Sequence, residues 1–162
     1  MSATAIRPAS GPGDVTLARA LFVEYAKWLK VDLCFQGFDR ELAMLPGAYA
    51  PPRGRLLLAG APAEAFGCIA LRPVDVAGAP PESIGEVKRL YVQPEVRGGG
   101  WGRRLAEALL AEARVAGYRE LKLDTLEWMT DARALYAGLG FHSCEPYYHN
   151  PLSGAVYMTL TL

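Results

Sequence analysis

Leu90-Tyr91-Val92-Gln93-Pro94-Glu95-Val96-Arg97-Gly98-Gly99-Gly100-Trp101-Gly102-Arg103-Arg104-Leu105-Ala106-Glu107-Ala108-Leu109-Leu110 decides how the rest of the chain is read. Its apolar start, Leu90 to Val92, is strand-like, and Pro94 ends the strand because proline brings no backbone donor to a ladder. Four glycines in the five positions 98–102 remove the Cβ atoms that would hold a bulky anion off the backbone. From Trp101 onward, Leu105, Leu109 and Ala113 recur at i, i+4 and i+8, the spacing of one helical face. A helix N-terminus offers unpaired N–H groups and a partial positive charge, and Arg97 and Arg103 add full charges beside it. Strand, turn and helix together read as a cradle for phosphate or pyrophosphate. The alternative, a glycine turn with no ligand, leaves the entropic cost of so many glycines without a use.

Two common phosphate-binding patterns do not fit. No Lys-Ser or Lys-Thr follows the glycines, as a nucleotide P-loop requires. Arg103 stands where a dinucleotide fingerprint needs its third glycine. What fits is [QR]-x-x-G-x-[GA], present as Arg97-x-x-Gly100-x-Gly102, and here the chain resembles the acyl-CoA-binding motif of the GNAT superfamily of N-acyltransferases. The resemblance implies that the loop holds the CoA pyrophosphate, with Arg97, Gly98, Gly99, Gly100, Trp101, Gly102 and Arg103 as the cofactor-binding run. It also implies that Leu90, Tyr91 and Val92 pair with the pantetheine arm. The bulk of Trp101 is expected to point away from the phosphates, toward solvent or the adenine.

At 162 residues the chain suits a single domain over 1–162, large enough for a real core. Lys+Arg and Asp+Glu balance at 17 each, so no global basic field attracts nucleic acid or an anionic membrane. No apolar run approaches membrane-spanning length, and the N-terminus lacks a charged-then-apolar leader. Cys34, Cys68 and Cys144 are odd in number and widely spaced, which suggests reduced thiols and a cytoplasmic location.

Taken in order, residues 2–9 give a weak first strand, and Gly11-Pro12-Gly13-Asp14 a turn whose Asp14 caps a helix over about 15–30. A short helix is expected from Asp39 to Leu45, ending before Pro46-Gly47. Arg55–Ala59 and Ala65–Leu71 should pair as an antiparallel hairpin, and residues 74–83 form a surface loop. Ile84–Val92 is the strand that enters the glycine turn, and Gly117 follows the long helix as its C′ residue. Leu121, Leu123 and Thr125 alternate with Lys122 and Asp124 as a further strand. A short helix begins at Thr130 or Asp131, Phe141–Cys144 starts another strand, and Val156, Met158, Leu160 and Leu162 alternate in a terminal one. The fold class is α/β (α+β), with a mixed, mostly antiparallel twisted sheet flanked by helices.

This order of elements extends the resemblance. Ala132-Arg133-Ala134-Leu135-Tyr136-Ala137-Gly138-Leu139-Gly140-Phe141 looks like the family's second landmark, A-x-x-L-Y-x-x-x-G-F. The resemblance then implies an acetyl-CoA-dependent N-acetyltransferase, with acetyl-CoA as cosubstrate and direct attack by a primary amine in a ternary complex. Tyr136 would be the general acid beside the CoA sulfur, since phenol and thiol have comparable pKa values. Unpaired N–H groups at Leu90 to Val92 would serve pantetheine and the thioester oxygen, if a bulge or splay frees them. Glu86, four residues before Leu90 and on the same face by period two, is the preferred base, with Asp124 and Glu127 as rivals. An Asn that often precedes the tyrosine by seven residues is replaced here by Met129. Tyr147, Tyr148 and Asn150, with Arg89, Phe35 and Gln36, are candidates to shape the amine pocket.

His142-x-Cys144 supplies two ligands and no visible third, so no metal is expected. The acceptor is read as a small-molecule amine: an amino acid, polyamine, amino sugar or similar. A non-catalytic acyl-CoA sensor and a toxin acetylating aminoacyl-tRNA are the other two readings. Monomer and homodimer both stay open.

Overall fold

The structure, a computed structural model, describes residues 5–162. The elements run β1 (Ala5–Pro8), α1 (Gly11–Leu29), α2 (Phe38–Met44), β2 (Arg55–Gly60), β3 (Gly67–Pro73), β4 (Ile84–Val92), α3 (Trp101–Val115), β5 (Glu120–Leu126), α4 (Thr130–Gly138), β6 (His142–Ser143) and β7 (Ala155–Thr161). The strands form one sheet in the order β1-β2-β3-β4-β5-β7-β6. Among the described residues only the central pair, β4 with β5, is parallel; its crossover is α3. The expected mixed, mostly antiparallel sheet is what is found, with β2 and β3 as the expected hairpin.

Alternation along the strands divides the core in two. Leu57, Ala59, Ile69, Leu71, Leu121 and Leu123 face α3, whose Leu105, Leu109 and Ala113 form the expected apolar stripe. Leu56, Leu58, Cys68 and Ala70 face α1 and α2, meeting Ala18, Leu21, Phe22 and Phe38.

At the N-terminus β1 covers Ala5–Pro8 of the expected first strand, residues 2–4 lying outside the described residues, and one expectation changes. Helix α1 begins at Gly11 with Ser10 as its N-cap, so the Gly-Pro-Gly-Asp run is the first helical turn and not a loop. Pro12 is tolerated there because first-turn N–H groups have no intrahelical partner. Asp14, instead of capping from outside, accepts from the Ser10 backbone N–H at 2.8 Å and from the Arg7 guanidinium at 2.6 Å.

The sheet is irregular where the two halves of the chain meet. Parallel pairing of β4 with β5 holds from Ile84↔Glu120 to Glu86↔Lys122 and then stops, so the strands part. On its other side β4 carries a bulge: Cys68 pairs with Tyr91 but Ala70 pairs with Lys88, leaving Ile69 opposite both Arg89 and Leu90. Arg89 takes a left-handed φ of 61°, uncommon for a non-glycine residue. The extra residue inverts the side-chain parity. Val87 lies on the α3 face, and beyond the bulge Leu90 and Val92 share that face while Tyr91 joins Cys68 on the α1 face. Period two from Glu86 to Leu90 is therefore broken, and the two residues occupy opposite faces.

Candidate active site

Two cavities meet where β4 and β5 separate. The outer one runs along the glycine turn and is lined by Arg97, Gly98, Gly100, Trp101 and Gly102, with Trp28, Trp128 and Leu135 opposite. The inner one sits in the gap itself, between Lys88 on β4 and Asp124 on β5, with Tyr25, Gln36, Asn150 and Tyr136 around it. Leu90, Met129 and Ala132 border both. A molecule lying in the outer cavity with one end at these three residues presents that end to the inner cavity.

The outer cavity has the features of the expected anion cradle. Gly98 and Gly100 take left-handed φ angles of 88° and 78°, and a Cβ at either would project into open space. Gly100 caps α3 with no side-chain partner, which leaves the first-turn N–H groups free for a ligand. Arg97 is held by its Nε–H donating to the Val92 carbonyl at 2.8 Å, with its guanidinium 4.8 Å from the Trp28 ring centre. A pyrophosphate-bearing ligand fits these residues. Two members of the expected run turn elsewhere. Arg103 pairs with Glu107 one turn along α3 at 2.9 Å. The indole of Trp101, expected toward solvent or adenine, instead packs edge-on against Phe66 at 4.9 Å, with the Arg104 guanidinium over it at 3.9 Å.

The inner cavity is walled by Leu29, Val31, Leu33, Leu126 and Leu152, but its polar side is densely connected. Lys88 Nζ donates to Gln36 Oε1 at 3.0 Å and lies 3.8 Å from Asp124 Oδ1. Asp124 Oδ2 accepts from the Tyr148 hydroxyl and from Asn150 Nδ2. Arg89 grips Glu41 with two bonds, at 2.8 and 2.9 Å, and also donates to Gln36 Oε1. Burial lowers the pKa of Lys88 against the opposing pull of the Glu86 and Asp124 charges.

Tyr136 lies in the last turns of α4, packed against Phe141 at 5.4 Å, and lines the inner cavity. No side-chain hydrogen bond engages its hydroxyl among the described residues, and burial raises its pKa, so the proton is retained at neutral pH. Glu86 is nearby but turned away. It is 2 % exposed, accepts from Arg72 at 2.9 Å and from Tyr147 Oη at 2.5 Å, and is not part of the cavity wall. Glu86 shares the α1 face with Lys88, and it is the grip of Arg72 and Tyr147 on its two oxygens that keeps the carboxylate off the cavity wall. Asp124 does reach the cavity, whereas Glu127, also named as a rival base, does not. Gln36, Arg89 and Asn150 line the cavity as expected, and Phe35 packs into the α1-side core. Met129 lies at the junction and its Sδ accepts from Thr125 Oγ1 at 3.5 Å.

Sequence reasoning missed Lys88, Glu41, Arg72 and Tyr25. A signal existed for the first two. Lys88-Arg89 is a pair of cations inside an otherwise apolar strand, and a buried cation requires acidic partners from elsewhere in the chain.

A split parallel pair beside a glycine-capped helix defines an acyl-CoA-binding acyltransferase fold. The model of the acetyltransferase (GNAT) family matches residues 22–141. The chain is 39 % identical over 152 residues to an N-acetyltransferase from Schizosaccharomyces pombe, covering 93 % of this chain and 90 % of that one. It is 33 % identical over 143 residues to an aminoglycoside N(6')-acetyltransferase from Stenotrophomonas maltophilia, covering 85 % and 94 %. An acetyltransferase from Streptococcus agalactiae superposes with a TM-score of 0.75 at 19 % identity over 98 % of both chains. A Salmonella typhimurium acetyltransferase solved with acetyl-CoA superposes with a TM-score of 0.72 at 19 % identity, covering 99 % and 94 %. The chain belongs to the GNAT family, and it is an N-acetyltransferase.

Proposed function

We propose that this GNAT acetyltransferase moves acetyl from acetyl-CoA to the primary amine of a small molecule, by direct attack with both substrates bound. The observation that carries this reading is the junction of the two cavities at Leu90, Met129 and Ala132, beside Tyr136. The glycine turn and Arg97 hold the donor's phosphates, and the parted stretch of β4 has backbone groups free to align its arm. The inner cavity is small and partly walled by leucines, which favours a small acceptor over a protein segment.

The residues then divide the proton work. Among the described residues Asp124 Oδ1 has no partner nearer than Lys88 at 3.8 Å, so it is available to take the amine proton. Tyr136 keeps its own proton and donates it to the departing thiolate. Glu86, with both oxygens engaged by Arg72 and Tyr147, supplies negative charge beside Lys88 and Arg72 and takes no part in the proton transfer. A cytoplasmic setting is part of the proposal, supported by three free cysteines. Among the described residues no helix is long and apolar enough to cross a membrane.

Thiol release from acetyl-CoA over a panel of amines tests the reading. Turnover with at least one small amine, and none with peptide N-termini, is the expected result. Turnover confined to peptides would overturn the small-acceptor reading.

A further inference from the structure

A charge-balanced set of six side chains lies at and behind the polar side of the inner cavity, with Lys88, Arg89 and Asp124 on its wall. Arg72, Lys88 and Arg89 are three cations; Glu86, Asp124 and Glu41 are three carboxylates, paired with them in that order at 2.9, 3.8 and 2.8 Å. Two of these pairs are hydrogen-bonded ion pairs. The third, Lys88 with Asp124, is too long for a hydrogen bond, and it is the pair that faces the cavity. An ammonium has three donors, and Lys88 uses one of them, on the neutral amide of Gln36. With its side chain 4 % exposed, its remaining N–H groups have no close acceptor among the described residues. Asp124 has the complementary surplus: Oδ2 is engaged by Tyr148 and Asn150, and Oδ1 is not. A buried cation and a buried carboxylate oxygen thus stand side by side at the cavity wall, each short of a partner.

We infer that the acceptor is a small aminocarboxylic acid bound as a zwitterion, its carboxylate on Lys88 Nζ and its amine on Asp124 Oδ1. The inference rests on the small-amine reading and narrows it. Because the six charges already cancel, a net-neutral acceptor leaves the buried site balanced. A polyamine or polycationic amino sugar would bury uncompensated positive charge beside Lys88. The 3.8 Å spacing suits charges on neighbouring carbons and not charges spread along a chain. The leucine and valine walls accept an apolar side chain on the same molecule. Placing the amine on Asp124 also places it on the group proposed to receive its proton, so one carboxylate would first orient and then deprotonate the acceptor.

The test compares apolar α-amino acids with their carboxamides, which keep the amine and side chain and lose only the anionic charge. Binding to the protein in the presence of CoA is followed by calorimetry, and turnover by thiol release, for wild type, Lys88→Met and Lys88→Arg. The expected result is that wild type prefers the acid to its amide by about tenfold or more. Lys88→Met should erase that preference while still accepting the amide, and Lys88→Arg should restore part of it. The wild-type comparison decides the matter even if a variant fails to fold. Equal use of acid and amide by wild type overturns the inference and leaves the acetyltransferase reading intact. Amino-acid binding that depends on Lys88, with no turnover, overturns the inference, because a molecule that is held and never acetylated is not the acceptor. Efficient use of polyamines with no binding of any amino acid overturns the inference alone.

Discussion

The Tyr147 hydroxyl donates to Glu86 Oε2 at 2.5 Å, tying the segment between β6 and β7 to the face of β4. The contact accounts for one oxygen of Glu86 and Arg72 for the other, so the carboxylate closest in sequence to the bulge is a structural anchor. Burial and the neighbouring Glu86 charge both push the Tyr147 pKa up, so the hydroxyl stays a donor across the accessible pH range.

Glu86→Gln and Asp124→Asn should therefore separate. Glu86→Gln is expected to lower stability by about 1–3 kcal/mol, the cost of unsatisfying a buried partner, and to change kcat only a few-fold. Asp124→Asn is expected to lower kcat by about a hundredfold. Urea unfolding and thiol-release kinetics measure the two. The reverse ranking would return the base to Glu86.

Arg89 and Glu41 form a fork with both side chains almost fully buried. Removing one partner, as in Arg89→Met, should cost about 3–5 kcal/mol because the other charge is left buried and unpaired. The double variant Arg89→Met with Glu41→Met should recover much of that loss in denaturant unfolding. Additive losses would show that the two do not act as a pair.

Gly100 holds a left-handed φ of 78° at the entrance to α3, and a Cβ there would meet nothing within 4 Å of the protein. Gly100→Val should weaken acetyl-CoA binding by tenfold or more, because the new side chain stands where the phosphates approach. The added backbone strain is about 1–2 kcal/mol, so the variant should remain folded. Equilibrium binding and a thermal melt distinguish lost affinity from lost fold.

Asp14 carries a pKa lowered chiefly by its hydrogen bond from Arg7. Its folded pKa lies below the unfolded value, so the stabilisation is present above the unfolded pKa and is lost as pH falls through the folded one. Arg7→Gln should be less stable than wild type at pH 7, by up to about 1 kcal/mol, and indistinguishable from it once Asp14 is protonated in both. Unfolding midpoints from pH 7 to pH 2 give the comparison. A difference that persists unchanged in acid would assign the effect to packing of the arginine stem.

The parts of the fold that follow from local pattern were readable in the sequence. Gly98 to Gly102 and the Leu105–Leu109–Ala113 stripe identified strand, turn and helix because each rests on residues within one or two turns of chain. The start of α1 was not, because Gly11 and Pro12 look like a turn unless Asp14 is known to reach back to Ser10. The bulge at Arg89 was invisible for a different reason: it is a property of the pairing between β3 and β4, and no local signal marks the extra residue. Its consequence, that Glu86 and Leu90 lie on opposite faces of the sheet, could not be reached by counting in twos. Lys88, Gln36 and Asp124 come from three separate segments and acquire their relation only when the sheet assembles.

The most direct test of the central claim is thiol release from acetyl-CoA by wild type and Tyr136→Phe, with acetyl-CoA affinity measured on both. The ring of Tyr136 packs on Phe141, so the variant should fold and bind acetyl-CoA within about twofold of wild type. Its kcat with the preferred amine should fall by about a hundredfold or more, the share expected of a lost general acid. A Tyr136→Phe enzyme with undiminished kcat would contradict the account, as would a wild type that binds acetyl-CoA and transfers acetyl to no amine.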